Sequence, residues 1–167
     1  MVKDTRGWSA LRGTLKILVP AMLILLLLAL GSSPMASASH THTAPFKVTL
    51  TGTFAFTSES TIAASGKGTA SHLGHITATG TMSITSNSGT PSVTLTAANG
   101  DKLFLTAVGT ATFTSSTTAV FIGTYTITGG TGHFMHATGH GTVNIWADLT
   151  SSAGGTFVAR ISGSITR

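Results

Sequence analysis

Histidine is the one reactive side chain that recurs in this chain with a chemically suggestive spacing. His133, His136 and His140 form H-x2-H-x3-H, and His72 and His75 stand three residues apart. On a helix the triplet would converge three imidazoles on zinc, copper or nickel, ions that imidazole suits. Here it straddles a glycine-rich turn and the start of a strand, where alternation sets His133 opposite His136 unless the turn intervenes. The chain has no Cys and only 4 Asp and Glu to complete a coordination shell. His133, His136 and His140 are therefore carried forward as candidate metal ligands against the simpler reading of unconnected turn and surface histidines, and no cofactor is expected.

Other chemistry is poorly supplied. A serine hydrolase needs a nucleophile elbow, a His and an acid, and no G-x-S-x-G occurs. Glycoside hydrolysis needs paired carboxylates, which so few acids do not offer. No catalytic residue is assigned. Large apolar side chains are a different matter. Phe54, Phe56, Met82 and Phe113 fall on the apolar parity of their segments and could line a cavity for a small hydrophobic molecule. The competing reading is that they fill a solid core.

The elements that would position these residues are strands. Phe46, Val48, Leu50, Phe54 and Phe56 share one parity, while Lys47, Thr49, Thr51, Thr53 and Thr57 share the other. A period of two sends the sets to opposite faces. The same device recurs in segments near residues 61–71, 73–86, 91–97, 102–114, 119–128, 139–148 and 156–166. Asn99-Gly100 suits a type I′ hairpin between the fourth and fifth segments. The sixth is apolar on both parities, with Val120 and Ile122 against Phe121, Tyr125 and Ile127, so one face is expected to meet a neighbouring subunit, with Phe121 and Tyr125 at that contact. Glycine at strand positions permits the bends that barrel closure needs. The fold class expected is all-β, an eight-stranded antiparallel β-barrel of calycin-like form, with a β-sandwich as the alternative.

The N-terminus reads as an export signal. Lys3, Arg6, Arg12 and Lys16 precede the apolar run Ile17–Leu30, and Ala36-Ser37-Ala38 has the small-x-small form of a cleavage site. The expected organisation is a helical signal peptide over 1–38, a flexible leader over 39–45 and a barrel over 46–167. Cleavage after Ala36 is the second choice. An uncleaved anchor would be the protein's only hold on a membrane, and the run is short for a span of roughly 20 residues. The formal net charge of +5 is largely a property of this segment. Beyond it, Lys47, Lys67, Lys102, Arg160 and Arg167 stand scattered against Glu59, Asp101 and Asp148. Nucleic acid demands a concentrated positive field, so it is not an expected partner. An exported domain without cysteine must be held by its core alone.

Two stretches carry a resemblance. Gly68–Gly80 is similar to a segment of small secreted bacterial barrel proteins. Gly129-Gly130-Thr131-Gly132-His133-Phe134-Met135-His136-Ala137-Thr138-Gly139 resembles the G-G-T-G-x-F-x-x-A-x-G segment of the allene oxide cyclase and dirigent-like barrels. The resemblance implies an eight-stranded barrel with a hydrophobic lumen. Read from its residues alone, the second stretch is a tight turn made by Gly129, Gly130 and Gly132, after which Phe134 plugs the barrel end. Plant enzymes of this superfamily steer cyclisation or coupling of a reactive ligand without a cofactor. Their lumen acids and arginines would have to come here from Glu59, Asp101, Asp148, Arg160 or Arg167, none of which sits in a matching motif. The expectation is thus an extracytoplasmic binding or structural module, alone or as a homo-oligomer, with a small hydrophobic molecule as its partner. A cofactor-free isomerase or cyclase is the alternative.

Overall fold

The computed structural model describes residues 41–86 and 88–167. The export signal, its cleavage site and Asn87 lie outside the described residues. Eight strands follow in order: β1 (Thr43–Ser58), β2 (Thr61–Ala70), β3 (Gly74–Thr85), β4 (Ser88–Ala97), β5 (Lys102–Phe113), β6 (Thr118–Gly130), β7 (Thr138–Ser151) and β8 (Gly154–Thr166). A single 3-10 turn, Gly132–Phe134, lies between β6 and β7. Each strand pairs antiparallel with its sequence neighbour, and β8 returns to β1, from Thr43 opposite Thr166 to Ala55 opposite Gly154. The barrel is closed, which leaves no edge among these strands to recruit another chain.

All eight expected strands are present, with three differences at their ends. β1 begins at Thr43 rather than Phe46, because the last residues of the presumed leader pair with the C-terminal end of β8. β8 begins at Gly154, two residues before the expected segment. The Asn99-Gly100 hairpin is not a two-residue type I′ turn. Gly100 donates to the Ala97 carbonyl at 3.0 Å, Ala97 donates to the Asp101 carbonyl at 2.9 Å, and among these residues only Gly100 has positive φ, at 89°. This is a three-residue loop whose last position is left-handed, the next commonest hairpin geometry. The Asn99 side chain fixes it, accepting from the Asp101 N–H and donating to its carboxylate, both at 3.1 Å.

Burial along the strands shows that the two ends of the barrel differ. Inward residues of β1 are buried from Ala44 to Leu50 and only half-buried from Gly52 to Phe56. In β3 the change comes after Ala78, and in β5 after Leu105. β8, running the other way, is half-buried at Phe157 and buried at Ala159 and Ile161. One end is therefore packed solid. Phe46, Leu95, Leu103, Ile127 and Ile165 are its largest fully sealed side chains, and each contributes about 1.5–3 kcal/mol through burial. Phe134, on the 3-10 turn, caps this end together with Leu73 and Ala137, as its place in the glycine-rich segment suggested.

Two polar clusters hold that cap. Asp101 Oδ2 accepts from the His133 backbone N–H at 3.3 Å, from His133 Nδ1 at 2.7 Å and from Asn99 Nδ2 at 3.1 Å. On the other side Arg167 lies 5.8 Å from the Phe134 ring centroid and donates to His72 Nδ1 at 3.4 Å. His72 Nε2 donates in turn to the Pro45 carbonyl at 3.1 Å. The His72 backbone adopts φ of 68°, a left-handed conformation uncommon outside glycine. The two contacts of its ring keep it there.

Candidate functional site

Glycine and aromatic side chains shape the interior together. Gly52 pairs with Gly66 across β1 and β2, Gly89 with Gly109 across β4 and β5, and Gly141 with Gly163 across β7 and β8. One ring lies over each pair. A Cβ placed on Gly52 or Gly66 would stand 2.9 or 3.3 Å from Phe157, and on Gly109 or Gly89, 2.6 or 3.1 Å from Phe121. On Gly141 or Gly163 it would stand 2.7 or 2.6 Å from Tyr125. Each ring thus covers backbone that no side chain covers, an arrangement known to stabilise glycine within sheets.

An interior cavity of about 140 Å³ lies in the less packed half. Leu50, Met82, Leu105, Val143, Ile161 and Phe157 are among its lining residues. Ser65, Thr79, Thr81 and Thr106 also border it, but they belong to the exposed outward parity of their strands. Tyr125 therefore supplies the one polar side chain of the inward set. The ladder is interrupted beside the cavity, where the β4–β5 pairing skips Thr90 and Pro91 and proline has no N–H to give. There the cavity and an outer groove share Pro91, Thr106 and Ala107.

The expected site residues divide. Phe54 and Met82 line the cavity. Phe56 does not. It shares the inward parity but lies one step nearer the open end, edge-on to Phe54 at a centroid distance of 6.0 Å. Phe113 is also absent from the lining and is 66% exposed, because β5 ends at that residue before its ring can reach the interior. The histidine triplet does not converge. No group of three His, Asp or Glu side chains is placed to hold a metal among the described residues. His133 is committed to Asp101, and His140 points outward from β7 opposite Ser164.

The largest correction concerns β6. Phe121 and Tyr125 were expected to face a partner subunit, yet both are buried in the lumen. The outward residues are Val120, which is half-buried, and Ile122, which is 62% exposed. Val120 pairs with Trp146 and Trp146 with Val158 across the outer wall. Arg160 stacks 5.7 Å from the Trp146 ring centroid. Tyr125 could have been placed from sequence by its own neighbours. Thr124 and Thr126 flank it on the polar parity, while Gly123 and Ile127 share its own.

Comparison with known proteins comes down to architecture. No protein-family model matches the chain, and no curated protein matches it in sequence. Among solved structures it is similar to a pterocarpan synthase dirigent protein, at a TM-score of 0.52 and 14% identity. The match covers 81% of this chain and 94% of that one. The barrel is dirigent-like in fold.

Proposed function

We propose that this protein is an exported, extracytoplasmic barrel that holds a small hydrophobic molecule in its lumen as a non-catalytic binding module. The observation that carries the reading is the apolar cavity of about 140 Å³, floored by a packed plug and shaped by rings lying on paired glycines. Apolar sites with few polar groups are typical of small-molecule binding. Export rests on the basic, apolar and small-residue succession of residues 3–38. The dirigent-like fold is compatible with the cofactor-free isomerase or cyclase alternative, but steering a reaction requires an acid, base or guanidinium aimed at the reacting centre. Glu59, Asp148, Arg160 and Arg167 are exposed, and Asp101 is engaged at the cap. Binding is the reading the interior favours.

Native mass spectrometry of the protein purified from its own host tests it. A stoichiometric, releasable small neutral molecule is the expected result. Bare protein that also takes up no apolar probe would contradict the reading.

A further inference from the structure

Among the described residues, no side chain offers a hydrogen bond to the cavity. Its inward lining is Leu50, Ala64, Met82, Val93, Leu105 and Phe157, with others of the same apolar kind. Ser65, Thr79, Thr81 and Thr106 border it from the outward, exposed parity of their strands. Tyr125 is the inward lining residue that carries a polar atom, and that atom is withheld. Its Oη is fully buried and lies over Gly163, where a Cβ would stand 2.6 Å from it. Gly163 is not a lining residue. The main chain adds no donor. Strand N–H groups lie in the plane of the sheet, directed at the neighbouring strand. Where the β4–β5 ladder lapses beside the cavity, the lining residue is Pro91, which has no N–H. Charge is absent too. Every Lys, Arg, His and Glu among the described residues is exposed, and neither Asp101 nor Asp148 lines the cavity.

We propose that the cavity is a hydrocarbon site: it encloses about one six-membered ring of carbon alone and rejects a ketone or ether of the same shape. The inference rests on the binding reading above and narrows the ligand from hydrophobic to free of acceptor oxygen. Size follows from volume: an apolar cavity of roughly 150 Å³ accepts benzene, and this one measures about 140 Å³. Exclusion follows from the transfer out of water. A ketone or ether leaves its hydrogen bonds behind and finds no donor to replace them, so it bears the cost of burying an unpaired polar group. A ring of carbon bears no such cost and gains the same apolar burial. A carboxylate would bring its charge to a place with no cation.

Calorimetric titration of the full-length protein with methylenecyclohexane and cyclohexanone isolates this difference, since an exocyclic CH2 in one replaces the oxygen of the other. Methylenecyclohexane should bind at least about tenfold more tightly. Cyclohexane and tetrahydropyran should repeat that order with an ether. Tyr125→Phe removes only the buried oxygen, so it should leave the affinities of all these probes unchanged. An oxygenated probe that binds as tightly as its hydrocarbon counterpart, or that loses affinity in Tyr125→Phe, would reveal a donor in the cavity. Either result would overturn the inference while leaving a binding site in place. Failure of the wild type to bind any of these neutral rings would overturn the binding reading, and the inference with it.

Discussion

Asp101 holds the closed end in shape, and its protonation reports on that role. Its carboxyl is kept below the ordinary value of 3.8, first by the hydrogen bond from the His133 ring and then by the one from the His133 backbone, with desolvation opposing. A carboxylate whose folded pKa is depressed contributes stability that is complete above the unfolded value and is lost as pH falls through the folded one. Asp101→Asn should therefore lower Tm at neutral pH, and its difference from the wild type should shrink on acidification below the ordinary carboxylate range. A difference that stays constant down to about pH 2 would contradict the assignment. The outward and inward residues of β6 offer a second test at this scale. Ile122→Lys places a charge in solvent and should change stability by no more than about 0.5 kcal/mol. Tyr125→Lys buries an unpaired ammonium and should cost about 3 kcal/mol or more. Urea denaturation of both variants measures the contrast.

Among the elements, the strands were legible in sequence because threonine and apolar residues alternate so strictly along each one. From Phe46 to Phe56 the expected faces are the observed faces. What alternation does not carry is depth. Phe54 and Phe113 share the inward parity of their strands, yet one lines the cavity and the other stands in solvent, because distance from the barrel end decides. Nor does it carry which face of a doubly apolar strand turns inward. In β6 that was settled by glycines on β5 and β7, which make room for Phe121 and Tyr125 and are distant in sequence. The paired glycines make their own prediction. A Cβ at Gly109 would meet the neighbouring backbone of Gly123 at 2.7 Å as well as Phe121, whereas at Gly89 it would meet only the Met82 and Phe121 side chains, at 3.0 and 3.1 Å. Gly109→Ala should cost about 1–3 kcal/mol and Gly89→Ala markedly less, as read by thermal unfolding. Phe134→Ala, which removes the plug, should cost about 3–5 kcal/mol.

The barrel combines a packed end with a hollow half, and every Lys, Arg, His and Glu among the described residues is exposed. Stability is concentrated where Phe46, Leu95, Leu103, Ile127 and Ile165 meet, and binding capacity lies in the half where burial is incomplete. The apolar outer row of Val120, Trp146 and Val158 is the face on which self-association would now be sought, in place of the lumen residues of β6. The central claim is that the hollow half is a binding site. Methyl-resolved NMR of the full-length protein, titrated with methylenecyclohexane, addresses it most directly. The account predicts saturable shifts at Leu105, Val143 and Ile161, which line the cavity, and little change at Leu95 and Ile165 in the packed end. The same shifts should be absent in Ala107→Leu, which fills the cavity from its wall. Spectra unmoved by the probe, or moved equally at both ends of the barrel, would contradict it.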